Sequence, residues 1–283
     1  MAGLQQEVWI QDIKENPIPD NSFVFASTDK SPYVKNNVIN LIEAGVEPAT
    51  HENFFEQNPD AELPIADVSD IPHDVTLKIY STEATRHRNL EEVELVDGTR
   101  QSIVARHKTS LAKNIGKRAA HAWTASTSDA FNKLMNLGAN DSVIDAITDL
   151  RAFYMAKDIN DGLNLCLTPE HWARIKKEDK KLYKELMADK NKVYADFRIF
   201  TYSKCPLFTS AGAKKPYGAA AEAGDRKASF TWVTEETFRC FGDTEMYFEP
   251  KKARIQADLL SFGQRALVGA VRANSPKYFG AII

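Results

Sequence analysis

The sequence has no run of about 18 apolar residues, so nothing in it reads as a helix that crosses a bilayer. Its start, MAGLQQEVWIQDIKENPIPD, has neither a basic leader nor an apolar stretch and is not a signal peptide. Cysteine is scarce: Cys166, Cys205 and Cys240 are an odd number without metal or redox spacing, which points to free thiols in a reducing compartment. Basic excess is lacking as well. The 36 Lys and Arg are outnumbered by 39 Asp and Glu, and a net charge of −3 does not advertise nucleic-acid binding.

Short catalytic and ligand-binding motifs are also missing. No G-x-S-x-G elbow occurs. In SAGAKKPYGAAAEAG, Lys214 and Lys215 sit inside the glycine span and a proline follows, so the stretch is not a phosphate-binding P-loop and reads as a mobile surface loop. KDINDGLN places Gly162 at the fifth position of a would-be calcium loop, where an oxygen ligand is required, so a turn is expected. The six histidines (His51, His73, His87, His107, His121 and His171) form no H-E-x-x-H and pair with no cysteine at zinc spacing. No catalytic residue, cofactor or metal is assigned, and an enzyme is unsupported.

What is present is an ordinary globular composition, 43% hydrophobic and 27% charged, over 283 residues. The first 70 residues hold half of the twelve prolines, yet VWI, SFVFAS, YVKNNVINLIEAG and NFF interrupt the polar text. Proline forbids long elements and apolar groups argue against a disordered tail, so this region reads as an extended arm lying against other protein. DVTLKIYST alternates Val75, Leu77 and Ile79 as a half-buried strand, and EATRHRNLEEVELVDG is a charged excursion with strand character in EEVELV. The longest helix is expected in TRQSIVARHKTSLAKNIGKRAAHAWTAS, where Ile103, His107, Leu111, Ile115, Ala119 and Trp123 form one apolar stripe.

Further on, NDSVIDAITDLRAFYMAKD reads as a helix with Val143, Ile144, Ile147, Leu150 and Tyr154 on one face. Leu163, Leu165 and Leu167 alternate as a strand, after which Thr168 caps a helix opened by Pro169. KEDKKLYKELMADK reads as a charged helix and KVYADFRIFTYS as one strand. FTWVTEETFRCFG reads as a short helix, and TEMYFEP and ARIQADLLSFGQRALVGAV as strands joined by a bend near Gly263.

One positive signal is distributional. No acidic residue lies between Arg100 and Ser128, whereas Arg100, Arg106, Lys108, Lys113, Lys117 and Arg118 all do. Glu83, Glu91, Glu92, Glu94 and Asp97 come just before. Like charges at helical neighbour spacing repel, so the helix needs acidic partners. They come from within the fold, from the acidic limb of a second copy, or from nucleic-acid phosphates. The apolar ending YFGAII likewise needs a cover, either the chain's own core or a neighbouring subunit.

This order of elements resembles the major capsid protein family of tailed bacteriophages: an apolar-punctuated arm, a charged excursion, a long basic helix, then LCLTPEHWARI with ADFRIFTYSKCPLF, and a return through DTEMYFEPKKARIQADLLSFGQRALVGAVRA. The resemblance implies an α+β fold with an N-terminal arm (1–48), an extended loop with its base strands (49–98), a spine helix of the peripheral domain (99–127), a mainly axial domain (128–243) and return strands of the peripheral domain (244–283). It implies self-assembly into pentamers and hexamers that enclose double-stranded DNA, contacted without sequence preference. It further implies a portal, a separate scaffold and decoration or head-to-tail proteins as partners, no membrane, assembly in a host cytoplasm and residence in the virion. Subunit-interface candidates are Glu91, Glu92, Glu94, Arg106, Lys108, Lys113, Lys117, Phe54, Phe55, Phe279 and Ile282. Two other readings stand beside it: an encapsulin-like compartment shell, which shares the fold, and a cytoplasmic α+β enzyme without a recognisable motif.

Overall fold

The computed structural model describes residues 20–35, 37–43, 71–87, 98–138, 140–189, 192–272 and 277–283, with isolated positions at 52, 53, 56 and 62. Two 3-10 turns, Ser22–Phe25 and Ser31–Tyr33, flank strand β1 (Thr28–Asp29). Strands β2 (Val38–Glu43), β3 (Ile71–Thr76), β4 (Lys78–Ser81) and β5 (Thr85–His87) precede the long helix α1 (Gly98–Ala122). Then come β6 (Lys133–Met135), α2 (Val143–Met155), β7 (Leu163–Leu167), α3 (Pro169–Glu178), α4 (Lys180–Ala188), β8 (Val193–Tyr194) and β9 (Phe197–Thr201). The chain closes through β10 (Leu207–Phe208), β11 (Arg226–Lys227), β12 (Ser229–Val233), β13 (Thr237–Lys252), β14 (Ala257–Ala270) and β15 (Gly280–Ile282).

Two sheets carry the architecture. The first has the order β1-β13-β14-β4, with β5 also paired to β14, and α1 packs on β14. The second is mixed, in the order β6-β15-β12-β7-β9-β8. Its central strands β7 and β12 are buried at every residue, because both faces are covered. On one face lie Val143, Ile147, Leu150 and Tyr154 of α2 with Ile175 of α3 and Leu186 of α4. On the other lie Phe23 and Val24 from the N-terminal segment with Ile115, Ala119 and Trp123 of α1.

Local signals set several elements as expected. Ser142 Oγ accepts from the Asp145 amide to cap α2, and Thr168 Oγ1 accepts from the His171 amide while Pro169 opens α3. The apolar stripe of α1 is buried from His107 through Leu111, Ile115 and Ala119 to Trp123. The KDINDGLN stretch is a turn, with Asp158 and Gly162 at positive φ and Asn160 Oδ1 accepting from Arg151.

Other expectations are corrected. Residues 22–29 are not an arm lying on other protein. Phe23 is fully buried, with its ring 4.9 Å from that of Tyr202, 5.8 Å from Phe230 and 6.0 Å from both Trp123 and Trp232. Here SFVFAS supplies the core that a proline-rich text obscured. KVYADFRIFTYS is a hairpin rather than one strand, because Ala195 and Asp196 both take positive φ and turn the chain, leaving Val193 exposed. FTWVTEETF is not a helix: β12 and β13 enclose a turn at 234–236, and the apolar FTWV run is a strand buried on both faces.

Strands β13 and β14 meet through residues 253–256, not through a bend at Gly263, which pairs with Glu245 in mid-strand. The boundary placed at 243/244 falls inside β13, and the final strand leaves this hairpin to pair with β12 and β6. The loop read as mobile is tied down at several points. Lys214 Nζ donates to the carbonyls of His121 (2.6 Å) and Thr124 (2.7 Å) at the end of α1, and Lys215 Nζ binds Asp225 Oδ2 at 2.7 Å. The C-terminal end of a helix exposes unpaired carbonyls, and an ammonium group answers them.

Candidate assembly surface

Helix α1 is the frame of the site. Its 25 residues span about 37 Å at 1.5 Å rise per residue. The buried stripe faces the sheets; Arg106, Lys113 and Lys117 flank it on one side and Lys108 on the other. Arg106, Lys108 and Lys117 are exposed and Lys113 is half-buried. None of these four forms an ion pair with a described residue.

Arg118 is different: its guanidinium lies 4.7 Å from the Tyr80 ring and 4.4 Å from the Tyr217 ring, so the fold itself uses this charge. The Tyr217 hydroxyl in turn donates to Asn114 Oδ1 at 2.8 Å. Among its described cations the helix uses Arg118 in its own packing and leaves Arg106, Lys108, Lys113 and Lys117 without an ion pair to a described residue.

A groove of about 830 Å³ runs between β4 and α1. Arg106, Lys113 and Lys117 line it against a single acid, Glu83, with Ile79 and Leu111 as its apolar part. Its floor is held by His107, buried in the helix stripe. The two ring nitrogens lie 2.8 Å from Thr82 Oγ1 and 3.0 Å from Thr85 Oγ1, and the ring is 5.3 Å from that of Phe262. Burial pushes the His107 pKa down, so the neutral ring bonds both threonines, accepting through one nitrogen and donating through the other. The base of the charged excursion is thus pinned to the helix, and a histidine read from sequence only as part of an apolar stripe is a polar peg. No group of three His, Cys, Asp or Glu among the described residues is placed to hold a metal ion.

A second, more apolar groove of about 540 Å³ flanks the other side of α1, where Phe25, Phe241 and Ile115 meet Lys108 and Ala112. Its wall is fixed by Arg239. The guanidinium donates to the carbonyl of Phe25 at 3.0 Å and to that of Ser27, pairs with Asp29 at 3.3 Å and lies 5.3 Å from the Phe25 ring.

Of the interface candidates from sequence, the structure brings Arg106, Lys113 and Lys117 together in the first groove and sets Lys108 in the second. Glu91, Glu92, Glu94, Phe54 and Phe55 lie outside the described residues. Phe279 and Ile282 are corrected: both are buried in this chain's own core, where β15 pairs antiparallel with β12 and parallel with β6. The apolar ending is covered from within and leaves no side chain for a neighbour at these positions. Sequence reading missed Met246, Tyr247 and Phe248, which are 57%, 55% and 49% exposed. TEMYFEP reads as an alternating strand, and that pattern alone does not reveal the exposure.

No family model and no curated protein matches the sequence. Solved structures do match the fold. A structure from Mycobacterium phage Che8 aligns with a TM-score of 0.68 over 95% of this chain and 93% of its own, at 12% identity. The capsid of cyanophage P-SCSP1u aligns at 0.64 over 96% and 90%, with 11% identity. The capsid of Helicobacter pylori bacteriophage KHP30 aligns at 0.60 over 96% and 92%, also with 11% identity. The chain has the fold of tailed-phage capsid proteins along nearly its whole length.

Proposed function

We propose that this chain is a major capsid protein, a structural subunit whose copies build a closed shell and which performs no catalysis. The observation that carries this reading is the shared fold, extending over nine-tenths or more of both chains in each comparison. The open cations of α1 support it. In a shell, Arg106, Lys113 and Lys117 meet carboxylates of a neighbouring copy, and many modest contacts repeated around the particle sum to a stable assembly.

The peripheral part corresponds to α1 with the β13–β14 sheet and the axial part to the six-stranded sheet with α2, α3 and α4. Pentamers and hexamers are the expected rings, the genome inside is double-stranded DNA held without sequence readout, and portal and scaffold are separate proteins. Particles form in a host cytoplasm and persist as virions. Among the described residues no helix is long and apolar enough to cross a membrane.

Sedimentation velocity of the purified chain tests the reading. Fast-sedimenting particles are expected; a single small species that persists at high concentration overturns it. Particles that enclose cargo proteins and no DNA would move the assignment to a compartment shell.

A further inference from the structure

Among the described residues, strand β13 leaves the body of its sheet as an open edge. Near its start, β1 pairs with Phe238 and Arg239, and the Phe241 amide donates to Ser31 Oγ. Beyond Gly242, every residue from Asp243 to Pro250 is exposed although the strand stays paired with β14 on its other side. Exposed edges of this length invite pairing with another chain. Alternation divides the side chains, with Met246 and Phe248 on one face and Glu245, Tyr247 and Glu249 on the other. The Tyr247 hydroxyl donates to Glu245 Oε2 at 2.6 Å, and Glu249 pairs with Lys252 at 3.0 Å. This edge is apolar and acidic.

The opposite edge of the same sheet is formed by β4 and, farther along β14, by β5. Ile79 of β4 is 63% exposed, and beside it lies the groove with Arg106, Lys113 and Lys117. That edge is apolar and basic. The two cannot meet within one chain, because β14 separates them. Two like edges of β13 would set Glu245 and Glu249 against the same residues of the partner, which is unfavourable.

We infer that the β13 edge of one copy seats against β4 and the basic groove of the next, with Met246 and Phe248 toward Ile79 and the carboxylates of Glu245 and Glu249 toward Lys113 and Lys117. The contact joins different surfaces, head to tail, and so generates a ring when the rotation closes. It rests on the shell reading and names the surface that fills the groove.

Cysteine linkage tests it. Chains carrying Met246→Cys and chains carrying Ile79→Cys are mixed, assembled and oxidised with copper–phenanthroline. The mixture gives a disulfide-linked dimer, each chain alone gives none, and the double variant gives a ladder of linked multimers; the three native thiols are buried and take no part. Particles that form without this link overturn the inference and leave the shell reading intact. A link formed by Met246→Cys chains alone overturns it in favour of a like-edge contact. Linkage of Glu92→Cys to Ser110→Cys in place of the expected pair overturns it in favour of the acidic limb. A second measurement uses charge. Glu245→Lys with Glu249→Lys loses assembly while circular dichroism shows a folded chain, and adding Lys113→Glu with Lys117→Glu to the same chain restores particles. Absence of restoration counts against the contact, whereas an unsubstituted chain that never assembles counts against the shell reading.

Discussion

The indole Nε1 of Trp232 donates to the carbonyl oxygen of Ala26 at 2.8 Å, across 206 positions of sequence. Trp232 stands in the central strand β12, and Ala26 ends the short segment that carries Phe23 into the same core. The bond and the Phe23 ring cluster make the N-terminal segment part of the interior. Phe23→Ala is expected to destabilise the chain by about 3–5 kcal/mol through the cavity it leaves. Trp232→Phe, which trades the buried indole for a smaller phenyl ring and leaves the Ala26 carbonyl without its donor, is expected to cost at least ~1–3 kcal/mol for the unpaired carbonyl, with a cavity cost added. Urea unfolding of the dissociated chain checks both; a Phe23→Ala midpoint equal to that of the parent would show that the segment is not in the core.

Gly116 is a second test of that docking. A Cβ placed there would collide with Asn21 Oδ1 and stand 2.9 Å from the Tyr202 hydroxyl. In an isolated helix, alanine in place of glycine gains about 1 kcal/mol. Here Gly116→Ala is expected to destabilise, because Asn21, which donates to the Ala112 carbonyl at 2.8 Å, must give way. Hydrogen exchange at residues 21–27 should accelerate more than exchange along α1; a stabilised variant with unchanged exchange would contradict the close approach.

Acid should weaken the fold through His171. Its Nδ1 lies 2.7 Å from Ser229 Oγ in a buried site, and burial, with the nearby Arg174 charge, lowers its pKa from 6.5 to about 4 against the opposing pull of Glu178. The unfolded chain takes up this proton near pH 6.5 and the native chain only near pH 4. The stability is therefore fully present above pH 6.5 and falls as pH drops through that window, by about 3 kcal/mol at its lower end. His171→Gln should flatten this part of the stability–pH curve measured by urea unfolding. An unchanged slope would assign the acid sensitivity to other groups, such as His107 and His121, whose pKa values burial also lowers.

The charge pattern of α1 predicts that Arg106→Glu with Lys113→Glu blocks assembly and leaves the subunit folded. Both side chains line the groove and neither pairs with a described residue, so reversal removes little from the fold itself. Electron microscopy with circular dichroism of the same sample separates the two effects; normal particles from this double variant would remove the basic helix from the interface.

Much of the fold was legible where a single local cause decides it. The stripe from His107 to Trp123, the Ser142 and Thr168 caps and the Pro169 helix start follow from periodicity and hydrogen-bond chemistry within a few residues. Tertiary contacts decided the rest. SFVFAS looks like an arm until Trp232 and Tyr202 surround it, and the Lys214 loop looks loose until the end of α1 offers its carbonyls. The apolar ending needed a cover that only β12 and β6 could identify as the chain's own. Of the candidate surface, the unpaired cations were visible in sequence, whereas the exposed run of β13 was not, because TEMYFEP has the same alternation whether its edge is paired or open.

Cryo-electron microscopy of the purified, assembled chain tests the central claim most directly. Closed particles are predicted, in which the Arg106, Lys113 and Lys117 side chains of each copy lie within ion-pair distance of carboxylates from its neighbour. A preparation of separate subunits, or particles in which those three cations face open solvent, would contradict it.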